Sequence, residues 1–399
     1  MSTATRRTLM ATAIAAPFIA PRAGWTQAGT VKIGILQPMT GGLSQDGEYG
    51  KIGAEIAIRE INEAGGIRGL RIDPVFGDAR STPEGGVAEV ERMQAEGVVG
   101  VVGGFASPIC LAASQAASRY DLPYIVDVGV ADTIVTRGLR NTFRFGPGFG
   151  MVTQKALENL VALNDAAGKP ARTVVLVHED GLFGTGLARL MNTELPKLGF
   201  QVLETIPHPS PSRDMSNVAL RIRALNPDLV IPSSYYAEFV LLAQTMQQRR
   251  IRPKGVYAVL NGAASNFRFV REFPDAAQAV MDCNHWADPR KPATARVRAA
   301  VEAMGRFWLY NVALNYSAVQ LMADALERAG RPDRNAVIEA LAATGPEFTK
   351  HIMPYGPTRF VNGQNQSGAP VNTQVQGGDI KVIFPNDFAD ARPIFPVTG

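Results

Sequence analysis

From Thr30 onward, short apolar runs alternate with stretches whose apolar residues recur at helical spacing. That rhythm admits few folds, because strand, amphipathic helix and strand in repetition make βαβ units, with parallel strands covered by helices on both faces. The first strand is expected at 31–36, followed by a glycine-rich loop at 40–47 and a helix that places Ile52, Ile56 and Ile61 on one face. The pair Gly65-Gly66 suits the end of that helix. A strand ends near Asp78, a helix covers about 83–96, and the unbroken apolar run 98–103 has the composition of a buried central strand, repeated at 122–126. Pro147 and three glycines then break the pattern within 141–150, and a second series begins. It comprises helices at 151–163, after Phe183, at 215–224 and at 238–248, with strands at 173–177, 200–206, 229–232 and 256–260. The stretch 281–288 returns the chain to the first half, where helices at 294–307 and 311–329 supply more apolar surface.

A chain of 399 residues exceeds the size at which one hydrophobic core keeps growing. The expectation is therefore an α/β protein of two similar Rossmann-like lobes with parallel sheets, the chain crossing first within 141–150 and returning at 281–288. Three of the four net positive charges come from Arg6, Arg7 and Arg22, in a segment without acids. The rest of the chain scatters its Lys and Arg among acids, so no basic stripe offers a nucleic-acid surface. The paired arginines run into a small, apolar stretch at 11–20, too short for a bilayer crossing of about 20 residues. Residues 1–28 are read as an export signal to the periplasm by the twin-arginine route, with Sec export as the alternative. Cys110 and Cys283 are expected as buried, unpaired small hydrophobes.

Motifs of catalysis are missing from the sequence. There is no GxxxxGK[ST] and no GxSxG, and Gly184-Thr185-Gly186 lacks the third glycine of a dinucleotide loop, since Arg189 stands there. The four histidines are far apart with no HExxH, so no metal site and no cofactor are expected, and no catalytic residue either. The group His178-Glu179-Asp180 is read as a polar rim at a strand end. What remains is a set of small, hydroxyl-bearing and aromatic residues just after strands, where open α/β sheets bind ligands. In the first half these are Asp46, then Phe105, Ala106 and Ser107, then Gly129, Val130 and Ala131. Phe183, Tyr235 and Asn261 occupy the corresponding places in the second half.

The segments IGILQPMTGGLSQDG (33–47), IREINEAGGIRG (58–69) with the acid of FGD (76–78), and VVGGFAS (101–107) resemble the periplasmic leucine/isoleucine/valine-binding proteins and their relatives. FRFGP (143–147), VLVHEDGLFGTGLA (175–188) and NPDLVIPSSYYAE (226–238) carry the likeness through most of the chain. The resemblance implies a type I periplasmic binding protein of an ABC importer, with a small-molecule ligand held between two closing lobes joined by three crossovers, so that lobe 1 takes 29–147 and about 283–358, and lobe 2 takes 148–282 and about 359–399. The importer's permease subunits would be its protein partners and the monomer its working form; a ligand sensor on the same fold is the alternative. It implies that Ser107 and the 129–131 loop receive a carboxylate, and that Phe183 and Tyr235 are the pocket aromatics. Phe183 lacks the hydroxyl of the family's tyrosine. Asn261 stands where relatives that hold α-amino acids place the acid for the ammonium, which leaves Asp46 as another source of negative charge. A small apolar or aromatic amino acid, or a related carboxylate, is the expected ligand.

Overall fold

The computed structural model describes residues 29–397, so the export signal expected at 1–28 lies outside the described residues. The chain first forms β1 (Thr30–Gln37), α1 (Ser44–Glu63), β2 (Arg71–Asp78), α2 (Pro83–Ala95), β3 (Val101–Gly103), α3 (Ser107–Ser118), β4 (Tyr124–Val126) and β5 (Thr142–Arg144). A second run follows as α4 (Phe149–Ala166), β6 (Thr173–Glu179), α5 (Leu182–Glu194), β7 (Gln201–His208), α6 (Ser216–Leu225), β8 (Leu229–Ser233) and α7 (Tyr236–Gln248). It ends with β9 (Gly255–Val259), α8 (Phe267–Glu272), α9 (Pro274–Ala277) and β10 (Met281–Asn284). Three helices come next, α10 (Pro292–Ala303), α11 (Tyr310–Ala329) and α12 (Arg334–Ala342). Four strands complete the chain, β11 (Phe360–Val361), β12 (Gln364–Asn365), β13 (Val371–Gln376) and β14 (Asp379–Phe384).

Two sheets result, and their cores repeat one winding. The first has the parallel order β2-β1-β3-β4-β5 and the second the parallel order β7-β6-β8-β9-β10. In each, the strand order reverses beside the first strand of the run, and the crevice beyond the C-terminal strand ends at such a reversal is where open α/β sheets hold ligands.

The sequence pointed to parallel sheets, and the structure adds antiparallel pairs at their edges. Each closes at one edge with an antiparallel hairpin, β11–β12 on the first and β13–β14 on the second. The pairs Asn362-Gly363 and Gly377-Gly378 make the tight turns, with positive φ at all four residues. Two-residue turns of that kind join antiparallel neighbours only. Because β12 pairs with β5, the chain leaves the first sheet for the last time at 366–370 rather than near 358. The other passages between sheets fall at 145–148 and 285–291.

The glycine-rich stretch 40–47 also differs from the expected loop, since α1 starts at Ser44. Glycines within α1 serve close packing: a Cβ on Gly47 would lie 2.3 Å from the Pro38 carbonyl oxygen, and one on Gly53 would lie 2.3 Å from that of Val312 in α11. Residues Val312, Val319, Leu321 and Met322 of α11 are fully buried, so this helix is the keel of the first lobe's core. Stripping it would expose several side chains worth about 1.5–3 kcal/mol each.

Candidate functional site

The site begins where β3 ends. Gly103, Gly104 and Phe105 all take positive φ (140°, 108° and 54°), and a Cβ on Gly103 would sit 1.9 Å from the Leu36 carbonyl oxygen. Only glycine fits at such an approach, and the left-handed Phe105 is a strained conformation of the sort that functional loops retain. Asp127 holds it: one carboxylate oxygen accepts the N–H groups of Phe105 (2.9 Å) and Val128 (2.7 Å), and the other accepts Gln37 Nε2 (2.8 Å). Burial raises the Asp127 pKa, and these donors pull against that rise. One buried side chain therefore fixes the loops after β3 and β4 together.

Those loops converge on Ser107, the first residue of α3. Its Oγ accepts the N–H groups of Val130 and Ala131, each at 3.2 Å. Behind them Arg144, with 2% of its surface exposed, donates to the Ala131 carbonyl (2.8 Å) and pairs with Asp132 (2.9 Å). With its oxygen accepting from two amides, the Ser107 hydroxyl keeps its proton to donate, and with the helix N-terminus and the buried guanidinium beneath it forms a cradle suited to a carboxylate.

The second lobe contributes rings. The Glu179 carboxylate accepts the N–H groups of Gly181 (2.8 Å) and Gly184 (2.9 Å), which sets the start of α5 and with it Phe183. The expected rim His178-Glu179-Asp180 is thus a helix-capping device with no nucleophile in it. Tyr235, at the N-terminus of α7, lies between Phe183 (ring centroids 5.2 Å apart) and Phe105 of the other lobe (6.1 Å). This aromatic row bridges the crevice.

The cleft enclosed has a volume of about 30 Å³. A cavity needs roughly 10–15 Å³ to hold one water, so this one has room for two or three at most, and admitting an organic ligand requires the lobes to part. Phe105, Ala106, Ser107, Gly129, Val130, Phe183 and Tyr235 all line it. Ala131 stands just behind, its N–H on Ser107.

Two expected residues are not on the wall. The Asn261 side-chain oxygen accepts the N–H groups of Ala263 (2.9 Å) and Ala264 (3.1 Å), so the amide is folded onto its own turn. Asp46 sits in the first turn of α1, contacted by Asn311 Nδ2 at 3.3 Å, and burial pushes its carboxyl up to about 7. The sequence reading missed His285, Asn284, Tyr310, Leu260, Val128 and Gly262, which complete the lining; no Asp, Glu, Lys or Arg belongs to it. A larger groove of about 860 Å³ lies wholly on the first lobe, between α1, α10, α11 and the 346–357 segment. It collects no strand ends, and the crevice at the two winding reversals has the polar cradle. No cluster suited to a metal ion occurs among the described residues, and no helix there is long and apolar enough to cross a membrane. Cys110 and Cys283 are free and buried.

Over residues 30–378 the chain matches the periplasmic binding protein family. It belongs to that family. The periplasmic binding proteins bind solutes and are not enzymes. Among its relatives is the Leu/Ile/Val-binding protein homolog 7 of Brucella melitensis, 28% identical over 89% of this chain and 92% of the relative. The fold is shared with the leucine-binding protein LivK of Thermotoga maritima (TM-score 0.76, 24% identity, 88% of this chain and 97% of the other). It is shared as well with a benzoate-bound solute-binding protein of an ABC transporter from R. palustris (TM-score 0.76, 19% identity, 89% and 96%).

Proposed function

We propose that this chain captures a small apolar or aromatic carboxylate in the periplasm and delivers it, as a monomer, to the permease subunits of an ABC importer. One observation carries the ligand class: the Ser107 cradle of the first lobe faces the Phe183 and Tyr235 rings of the second, in a wall free of charged side chains. A carboxylate finds the Ser107 hydroxyl there, its oxygen held by two amides so that its proton is free to donate, and a ring finds the faces of Phe105, Phe183 and Tyr235. An ammonium finds no ionised partner on the wall, and a buried unpaired cation is costly. Asp46 lies off the wall, and burial holds its carboxyl near neutrality. The likeness to the benzoate-bound protein supports the aromatic side of this reading, and likeness to the leucine-binding protein LivK the apolar side.

Capture follows from the geometry. A ligand that touches Ser107 on one lobe and Tyr235 on the other gains its full contacts only when the lobes close, so it shifts the open–closed equilibrium toward the closed form. The closed form then presents both lobes together to the membrane subunits. Denaturing the purified protein and identifying the released small molecule by mass spectrometry tests the reading. An intact carboxylate without an amine is the expected product, and an α-amino acid or a turnover product would overturn it.

A further inference from the structure

His285 sits on the second passage between the sheets, with its ring on the wall of the cleft and 1% of its surface exposed. Neither ring nitrogen has a hydrogen-bond partner among the described residues. Its neighbours are the Tyr310 ring, 5.9 Å away between centroids, and the backbone at Gly146, where an added Cβ would lie 3.4 Å from its Cε1. Burial, with the nearby Arg144 adding to it, lowers the imidazole pKa to about 3, so the ring is neutral and offers one donor and one acceptor. Buried polar groups are almost always paired, and an unpaired one on a ligand-facing wall marks the place where the ligand supplies the partner.

The chemistry of that partner follows from the wall. The carboxylate has its cradle at Ser107, Val130 and Ala131, and no acid lines the cleft to accompany an ammonium. A neutral imidazole pairs well with a hydroxyl, which can give a proton to one nitrogen or take one from the other. We propose that His285 is the specificity-determining residue of this cleft and hydrogen bonds a hydroxyl on the ligand, which makes the ligand class hydroxylated aromatic carboxylates. This inference rests on the proposed carboxylate cradle.

Titration calorimetry on the full chain, freed of bound ligand by unfolding and refolding, tests it with benzoate, 3-hydroxybenzoate, 4-hydroxybenzoate and L-leucine as probes. One hydroxybenzoate isomer binds wild type about tenfold or more tighter than benzoate, since a site built around a hydroxyl discriminates strongly against its absence. H285L lowers the affinity for that isomer about fivefold or more beyond its effect on benzoate, and H285Q, which keeps a donor and an acceptor, restores part of the preference. Equal wild-type affinity for benzoate and both hydroxybenzoates overturns the His285 assignment while leaving the cradle in place. Equal losses for both ligands in H285L overturn it too. Binding of leucine with no binding of any benzoate overturns the cradle reading itself, and the His285 inference with it.

Discussion

Replacing Asp282 with asparagine should make this protein more stable at neutral and higher pH, by an amount that vanishes in mild acid. Asp282 lies in β10, fully buried, and its carboxylate accepts hydrogen bonds from Ser265 Oγ (2.7 Å), Asn284 Nδ2 (2.9 Å) and the Asn261 N–H (3.3 Å). Burial outweighs those donors and raises its pKa from 3.8 to about 7. Between pH 3.8 and about 7 the folded chain keeps a proton that the unfolded chain has lost, so stability falls as pH rises through that window. At about 1.4 kcal/mol per pH unit, the loss reaches at most about 4 kcal/mol above neutrality. Asparagine has the same shape and no proton to lose, and its amide can donate to Ser265 or Thr373, whose hydroxyls lie 3.0 Å apart. Asp46 titrates in the same direction, while His285 and His351, lowered to about 3 and about 4, work in the opposite one and lose stability on acidification. All three are common to both proteins and cancel in the difference. Urea denaturation of wild type and D282N at about pH 4.5, 6 and 8 gives that difference directly, and it should grow steadily with pH. Parallel stability profiles across the range would refute the reasoning, because they would mean that Asp282 is ionised in the folded protein throughout.

The cleft yields further outcomes. Ser107→Ala removes a hydrogen bond to a charged group worth about 1.5–3 kcal/mol, so affinity for the natural carboxylate should fall roughly 10- to 100-fold in calorimetry. Tyr235→Ala removes the middle ring of the row and should cost a comparable factor, while Tyr235→Phe keeps most of the affinity. Unchanged binding in both alanine variants would move the site elsewhere. Asp127→Ala strands the N–H groups of Phe105 and Val128 and the Gln37 amide, and should lower the melting temperature while also weakening ligand binding. Loss of stability with wild-type affinity would separate Asp127 from the site. Burial raises the thiol pKa values of Cys110 and Cys283, so the native protein should react with neither iodoacetamide nor an aromatic disulfide until it is denatured, and then two thiols should appear.

The two-sheet architecture was legible in the sequence because βαβ periodicity is a local signal, readable strand by strand. The edge hairpins were equally local, in Asn362-Gly363 and Gly377-Gly378, yet those turn pairs carry no weight in a reading tuned to parallel strands. Helix α3 escaped for a different reason. Its sequence, SPICLAASQAAS, has small residues on nearly every side and no apolar stripe to announce a helix. At the cleft, the rule that ligands bind after strand ends found Phe105, Ser107, Val130, Phe183 and Tyr235. It could not find His285 or Tyr310, which reach the cleft from a passage between lobes and from the start of a distant helix, since only the folded path brings them there. Asn261 misled because position relative to a strand says nothing of where a side chain points, and its side-chain oxygen is spent on the N–H groups of its own turn. Asp127 looked ordinary beside the apolar 122–126 run, and its role is visible only through its three partners.

The interleaved path of the chain has a consequence for how the protein is made. The second lobe's parallel core, from α4 to β10, is one uninterrupted stretch of sequence. The first lobe must wait for α11, whose partner α1 lies about 260 residues earlier in the sequence, and for β12 beyond it. Contacts so distant along the chain form late, so the second lobe should acquire its structure ahead of the first, although most of the first is synthesised before it. The half that carries the carboxylate cradle is then the last to become rigid, and a nascent chain cannot hold its ligand until the keel helix has been laid.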